Sequence, residues 1–138
     1  IRIDAPPERC LEVALDFERY PEWARDLKEV QILERDAAGR GTTVEYRAAA
    51  FGKSAHYTLG YDYEGLPDSF SWKLLEGDIM KRLDGTYRFE RDDDGTRVHY
   101  DLTVDLAIPL PGIIKRRGAG MIISTALKGL KQAVEGRS

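Results

Sequence analysis

The chain has 138 residues, of which 42% are hydrophobic and 33% are charged, and its formal net charge is -3. This length supports one domain with a sizeable core, so the sequence predicts a single domain over residues 1–138. The charge balance argues against a nucleic-acid-binding protein, which needs a concentrated basic surface. No apolar run reaches the roughly 20 residues that cross a bilayer.

Cysteine content indicates the compartment. Cys10 is the only cysteine, so no disulfide can form within the chain, and we therefore expect a reducing, cytoplasmic environment. The opening Ile1-Arg2-Ile3-Asp4 lacks the basic and apolar regions of a signal peptide, and we expect further residues upstream of so abrupt a start. At helical spacing with its neighbours, Cys10 is interpreted as a small core residue.

The N-terminal segment predicts a strand end followed by two short helices. Proline is tolerated in a first helical turn and an acidic residue there complements the helix dipole, so a helix is predicted from about Pro7 to Asp16. Residues 16–23 break it and predict a second short helix with Pro21 in its first turn. The apolar side of this second helix consists of Tyr20, Trp23 and Leu27.

From Lys28 onwards, apolar and polar residues alternate, which is typical of a sheet with one buried and one solvated face. A first run near Val30 alternates less regularly, and five regular runs follow. Short turns rich in glycine and aspartate separate them, so the sequence predicts a sequential antiparallel meander. The inward set is Val44, Tyr46, Ala48, Ala50, Tyr57, Leu59, Tyr61, Tyr63, Phe70, Trp72, Leu74, Leu83, Tyr87, Phe89, Val98, Tyr100, Leu102, Val104 and Leu106.

A long amphipathic helix is predicted from about Ile113 to Glu135, after Pro109 and Pro111 stop strand pairing. Its expected core stripe is Ala119, Ile122, Ile123, Ala126, Leu127, Leu130, Ala133 and Val134. This helix is the only segment long enough to cover the apolar face of the sheet. The sequence therefore predicts an α+β fold in which six to seven strands curve around the helix. Small inward residues at Ala48, Ala50 and Gly85 favour a cavity between sheet and helix.

The first strand, the Ala5-Pro6-Pro7-Glu8 helix start, the segment from Asp16 to Trp23, the meander and the C-terminal helix together resemble the START-like (SRPBCC) superfamily. Within it, the chain is most similar to the polyketide cyclase/dehydrase and coenzyme-Q-binding group. The resemblance covers nearly the whole chain and implies a helix-grip fold with a hydrophobic cavity. The superfamily includes lipid carriers, binding proteins and a minority of enzymes, so function does not follow from the fold.

Inward tyrosines are the main functional feature, because they combine apolar walls with hydroxyls that can orient a ligand. The alternative interpretation is a packed core. Such a cavity would suit sterols, quinones, fatty acyl chains or aromatic polyketides. The predicted ligand-binding residues are Tyr46, Ala48, Tyr57, Leu59, Tyr61, Phe70, Trp72, Leu83, Tyr87, Tyr100, Leu102, Ile122, Ile123 and Ala126.

No charged residue or histidine interrupts the inward set, since both His56 and His99 fall on the solvated face. A general base for cyclisation or dehydration is therefore missing from this set. An interior tyrosine can act as an acid or polarise a carbonyl, although a phenol with a pKa of about 10 is a poor base. The catalytic candidates are Tyr57, Tyr61, Tyr87 and Tyr100.

The sequence predicts neither a metal nor a cofactor. Two separated histidines and one cysteine do not form a metal site. The run Asp92-Asp93-Asp94-Gly95 lacks the ligand spacing of a calcium loop and is interpreted as a hairpin turn. Gly118 and Gly120 lack the context of a nucleotide-binding loop, and are interpreted as allowing close helix packing or leaving room for a ligand.

Apolar and basic residues meet at the start of the long helix. Leu110, Ile113, Lys115 and Arg116 are predicted to form a gate or a weak membrane-surface contact, with plain solvation as the simpler alternative. The leading hypothesis is a cofactor-free protein that binds or carries a small hydrophobic molecule. The alternatives are an aromatic polyketide cyclase/dehydratase that uses cavity tyrosines, and a protein-interaction module. The ligand and the oligomeric state stay open.

Overall fold

The computed structural model describes residues 1–24, 26–50, 53–106 and 112–136, with the backbone alone described at 50, 53, 106 and 112–119. Two α-helices and seven strands make up the regular structure of this part, together with a 3-10 helix at Phe17–Glu22. In chain order they are β1 (Arg2–Ile3), α1 (Pro7–Leu15), β2 (Leu27–Arg35), β3 (Gly41–Ala50), β4 (Lys53–Asp62), β5 (Ser69–Gly77), β6 (Met80–Asp92), β7 (Gly95–Leu106) and α2 (Gly112–Glu135).

The strands form one antiparallel sheet with the order β1-β7-β6-β5-β4-β3-β2. Consecutive strands from β2 to β7 are neighbours, and β1 joins the far edge beside β7. The predicted meander, the α+β class and the strand number are therefore confirmed. The alternating apolar residues share the inner face, where aromatic rings from neighbouring strands contact one another.

The short helices differ from the prediction in detail. α1 ends at Leu15, and the next helix is a 3-10 helix that begins at Phe17, so Pro21 lies near its end and not in its first turn. The reason is the spacing of its buried residues. Phe17 and Tyr20 are three apart, which matches three residues per turn, and both are buried in the core.

Register shifts modify the alternation at particular points. Leu59 pairs with Leu74 while Thr58 pairs with Glu76, so Leu75 is an extra residue in β5 and is exposed. A second shift, between Met80 and Arg82, turns Met80 inward although its position in the alternation predicts the solvated face. The alternation also places Thr58, between the inward Tyr57 and Leu59, on the solvated face, and this prediction is wrong. Thr58 is buried, and the register sets it opposite the longer Glu45 on β3 and Glu76 on β5.

The C-terminal half of α2 packs against the sheet and α1, where Leu130 and Val134 are buried. The other described residues of the predicted stripe are half-buried, and the side chain of Ala119 lies outside the described part. Glu135 accepts hydrogen bonds from the Asp4 amide at 2.9 Å and from Lys131 Nζ at 2.6 Å. The end of α2 is thus bound to the segment that follows β1.

Two further points concern individual predictions. Cys10 is buried, as its interpretation as a core residue requires. None of the helices in the described part of the chain is long and apolar enough to cross a membrane.

Candidate ligand-binding cavity

A cavity of about 500 Å³ lies between the inner face of the sheet, the segment after α1 and the middle of α2. This volume falls within the range of roughly 300–1,000 Å³ that is usual for small-molecule sites. Its described lining residues are Tyr20, Trp23, Ala24, Asp26, Leu27, Tyr46, Ala48, Ala49, Tyr57, Leu59, Tyr61, Phe70, Trp72, Met80, Leu83, Tyr87, Tyr100, Met121, Ile122, Thr125 and Ala126.

All of the predicted ligand-binding residues line this cavity except Leu102 and Ile123. Leu102 pairs with Gly85, and the Trp72 indole lies over Gly85, so another side chain occupies the space in front of this part of the sheet. Ile123 lies outside the cavity-facing side of α2, which consists of Met121, Ile122, Thr125 and Ala126.

Several lining residues were not predicted. Trp23 and Leu27 belong to the apolar side that the sequence predicts for the second short helix. Such a side is expected to pack against other apolar residues. Met80 was missed because the register shift reverses its direction. The sequence pattern does not indicate that Asp26 and Thr125 line a cavity. Asp26 is a single polar residue at a turn, and Thr125 is a single polar residue on a helix.

Hydrogen bonds within the protein occupy four of the tyrosine hydroxyls. The hydroxyls of Tyr46 and Tyr61 bond to each other, with an oxygen–oxygen distance of 2.5 Å. Tyr20 donates to the carbonyl of Ala14, and Tyr63 donates to the carbonyl of Gly41. Tyr63 is not among the described lining residues, although it belongs to the inward set.

The other three tyrosines, Tyr57, Tyr87 and Tyr100, form no hydrogen bond with a described residue through their hydroxyls. Within the described residues, the one fully enclosed side-chain nitrogen or oxygen without a partner is Trp23 Nε1. These three hydroxyls are therefore not sealed in the core, and they reach the space of the cavity.

Ring packing holds the same three tyrosines in place. Tyr87 and Tyr100 meet edge to face with ring centroids 4.6 Å apart, and each lies 5.5 Å from Trp72. Tyr57 stacks on Tyr46 at 5.3 Å. Aromatic pairs at these separations stabilise one another. The rings are thus positioned by the protein while their hydroxyls stay available.

Burial raises the pKa of each cavity tyrosine, because the phenolate loses its hydration. The negative charge of Asp26 raises the pKa of Tyr57 further. After burial, the neighbouring Tyr87 and Tyr57 contribute to the raised pKa of Tyr100. All of these hydroxyls are neutral donors at neutral pH.

Asp26 is the one carboxylate among the described lining residues, which include no lysine, arginine or histidine. It is exposed, and its backbone carbonyl accepts a hydrogen bond from the Ala49 amide at 2.8 Å. Ala49, Met121 and Thr125 are also exposed lining residues, which places the mouth of the cavity between β2, β3 and α2. Asp26 precedes the inward set between Val44 and Leu106, so the strand alternation did not indicate it.

The interpretation of Gly85 needs correction, and one of the two alternatives for Gly120 is excluded. The space beside Gly85 is not part of the void, because a Cβ atom there would lie 2.4 Å from Trp72 Cζ2. Gly120 is exposed, and a Cβ atom there would meet nothing within 4 Å, so this residue does not mediate close packing. The close approach occurs at Gly129, where a Cβ atom would lie 3.0 Å from the Trp23 ring. Only the backbone of α2 is described around Gly118, so the interpretation of this residue stays a prediction.

Other predicted features lie away from the cavity. His56 pairs with Asp78 at 3.4 Å and His99 with Glu90 at 3.2 Å on the outer face. Residues 92–95 form the β6–β7 turn, and no group of described residues could hold a metal ion. Leu110 and the side chains of Ile113, Lys115 and Arg116 lie outside the described residues, so the gate or membrane contact stays a prediction.

The sequence itself matches a family model described as polyketide cyclase / dehydrase and lipid transport, over residues 1–135. The chain belongs to this family. The predicted resemblance is therefore confirmed, and it extends over almost the whole chain. No curated protein matches the sequence significantly.

Several solved structures share the fold of this chain. A START superfamily protein from Mycobacterium smegmatis has a TM-score of 0.92 and 24% identity, over 100% of this chain and 95% of that one. A Thermus thermophilus protein has a TM-score of 0.82 and 29% identity, with the same coverage of 100% and 95%. The Zhui aromatase/cyclase from Streptomyces sp. R1128 has a TM-score of 0.83 and 18% identity, over 99% and 91%.

This family membership supports a fold that binds hydrophobic ligands. The description of the family includes both cyclases and lipid transport, so membership alone does not name a ligand or a reaction. The side chains that surround the cavity must therefore carry any finer argument.

Proposed function

We propose that this protein binds or carries a small hydrophobic molecule, such as a lipid, a quinone or a polyketide-like compound, in the cavity between the sheet and α2. The observation that carries the proposal is a cavity of about 500 Å³ with aromatic and aliphatic walls. An apolar space that side chains leave unfilled lowers stability. A hydrophobic ligand recovers part of that cost by removing apolar surface from water.

Native mass spectrometry of gently purified protein, followed by extraction and identification of the bound molecule, tests this proposal. We expect one ligand per cavity. Ala48 is buried in the cavity wall, so Ala48→Phe should fill part of the space and abolish the ligand-bound species. The control is Ala37→Phe, at an exposed position in the β2–β3 connection. An empty protein that also refuses lipids, quinones and polyketides would contradict the proposal.

The second candidate function is an aromatic polyketide cyclase or dehydratase. It is favoured by the combination of Asp26 with free hydroxyls on Tyr57, Tyr87 and Tyr100 at one cavity. In an aldol cyclisation, a carboxylate would take the proton next to one carbonyl. The resulting enolate would attack a second carbonyl while a tyrosine donates its proton to the forming alkoxide. Tyr61, the remaining candidate, already shares a hydrogen bond with Tyr46.

Turnover of a linear aromatic polyketide precursor separates the two functions. A cyclase should lose activity in Asp26→Asn and in Tyr57→Phe, while Tyr63→Phe should retain it because Tyr63 bonds to Gly41 away from the lining. Binding without turnover would instead support a carrier. No observation on the described residues favours the third alternative, the protein-interaction module.

A further inference from the structure

The charge and hydroxyl pattern of the cavity narrows the class of ligand. We infer that the cavity selects an uncharged, ring-containing molecule with a carbonyl or hydroxyl oxygen, and that it rejects anionic amphiphiles such as free fatty acids. This inference rests on the proposed binding function and names the ligand class for the same site.

The charge of the described cavity lining disfavours an anionic ligand. A carboxylate that leaves water loses its hydration and needs a cation or several donors in return. The described lining offers no lysine, arginine or histidine, and its single charge, Asp26, is itself negative. A fatty acid with its head in the cavity would therefore find no counter-ion among the described lining residues. With its head at the mouth, it would approach Asp26.

The second step concerns the free hydroxyls. Tyr57, Tyr87 and Tyr100 each offer an O–H donor that no described residue accepts. A donor that reaches the cavity is satisfied by a neutral oxygen acceptor on the ligand, and a hydroxyl can also accept in return. A pure hydrocarbon would cover these hydroxyls without a partner, at a cost in affinity.

The arrangement of the aromatic rings in the cavity favours a flat ligand. Tyr87 and Tyr100 meet nearly at right angles, with their planes inclined by 83°, and Trp72 contacts both rings. Ring edges and faces therefore border the same space as the two free hydroxyls. A flat conjugated ligand can contact these rings in the preferred offset or edge-to-face geometry, and an oxygen on its rim can then reach a hydroxyl.

Three probes of similar shape test the inference by isothermal titration calorimetry at neutral pH. They are the ketone 2-acetylnaphthalene, the anion 2-naphthoate and the hydrocarbon 2-isopropylnaphthalene. We expect the anion to bind on the order of 100-fold more weakly than the ketone, which corresponds to the uncompensated cost of burying a carboxylate.

Variants assign the effect to particular groups. Tyr87→Phe and Tyr100→Phe should each weaken ketone binding by roughly 3- to 10-fold, the value of one hydrogen bond. Both variants should strengthen hydrocarbon binding, because phenylalanine has no hydroxyl for the hydrocarbon to cover. Asp26→Asn should strengthen anion binding severalfold, because it removes the negative charge that repels the carboxylate at the cavity. Tyr63→Phe is the matched control, because its hydroxyl bonds to Gly41 and it does not belong to the described lining.

The outcomes are distinguishable. Anion binding as tight as ketone binding would overturn the inference and leave the proposed function intact. Equal losses for ketone and hydrocarbon in the phenylalanine variants would overturn the role of the hydroxyls. Failure of all three probes, together with the absence of any co-purified ligand, would count against the proposed function and the inference with it.

Discussion

Seven tyrosines occur in this chain, and the partner of each hydroxyl decides what that residue does. The hydroxyls of Tyr20 and Tyr63 bond to backbone carbonyls, so these side chains fasten neighbouring segments. Those of Tyr57, Tyr87 and Tyr100 reach the cavity instead. Tyr63 has the same residue type and inward parity as Tyr57, Tyr87 and Tyr100, so only its tertiary neighbours distinguish it from them.

The raised pKa values of these tyrosines predict how the protein responds to alkali. The unfolded chain releases tyrosine protons near pH 10, whereas burial keeps them bound in the folded state. Because the folded pKa is the higher one, stability is fully present below about pH 10 and falls as pH rises above it. We expect phenolate absorbance to appear together with loss of the far-UV circular dichroism signal.

The control for this titration is the protein denatured in guanidinium chloride, whose tyrosines should ionise like free tyrosine. If phenolate absorbance follows the titration curve of the denatured protein while the fold persists, burial does not prevent ionisation of the tyrosine hydroxyls. That result would contradict the prediction.

Gly85 lies where the Trp72 indole packs closely on the sheet, so this position should not tolerate a larger residue. An alanine Cβ there would lie 2.4 Å from Trp72 Cζ2 and 2.9 Å from the Asp101 carbonyl, and the backbone atom cannot move aside easily. Gly85→Ala should therefore displace the indole and destabilise the protein by about 1–3 kcal/mol. Urea unfolding and tryptophan fluorescence measure both effects.

Gly120→Ala is the matched control. Nothing lies within 4 Å of a Cβ atom at this exposed helical position. Alanine is the better helix former, so this variant should gain about 0.5–1 kcal/mol. Equal stability of Gly85→Ala and the parent protein would contradict the prediction. It would mean that the Trp72 side chain can adopt another position at no cost in stability.

At the level of elements, strand β6 shows how a register shift limits prediction from alternation. Leu83, Tyr87 and Phe89 follow the predicted parity and are buried. Met80 precedes a shift and is buried against that parity. Turn residues and alternation predict which segments are strands, but an extra residue in one strand depends on how two strands meet.

The packing of helix α2 on the core depends on Leu130. Leu130 is fully buried where the helix packs on the rest of the core. Leu130→Ala should lower the free energy of unfolding by about 2–5 kcal/mol, since it removes buried apolar volume and leaves a cavity.

Chemical denaturation measures this change, with Lys128→Ala as the control on the same helix. Lys128 is exposed, so its replacement should alter stability by no more than about 0.5 kcal/mol. A small effect of Leu130→Ala would indicate that the C-terminal half of α2 does not hold the helix on the sheet.

For the whole molecule, the important arrangement is a helix whose C-terminal half packs on the core and whose middle borders a cavity. Leu130, Val134 and the Glu135–Lys131 pair bind the C-terminal end of α2 to the core and to the start of the chain. Met121, Ile122, Thr125 and Ala126 line the cavity. The fold can therefore be stable while part of its interior remains available.

Both tryptophans of the chain line the cavity, which makes ligand binding directly observable. A bound molecule should change the emission of Trp23 and Trp72. It should also raise the melting temperature, because a ligand at 100 times its dissociation constant stabilises the folded state by about 2.7 kcal/mol.

The filled variant Ala48→Phe should show neither change on addition of the same ligand, while Ala37→Phe should show both. A ligand that raises the melting temperature equally in both variants would be binding outside the cavity.

The sequence by itself determined the class of fold, the meander, the long final helix and most of the cavity wall. These depend on alternation and helical spacing, which are local properties of the chain. Only the tertiary structure decided which tyrosine hydroxyls are free, that Trp72 fills the space beside Gly85, and that Asp26 borders the cavity. The physical reason is that hydrogen-bond partners, side-chain volumes and the position of a turn residue are set by contacts between segments distant in sequence.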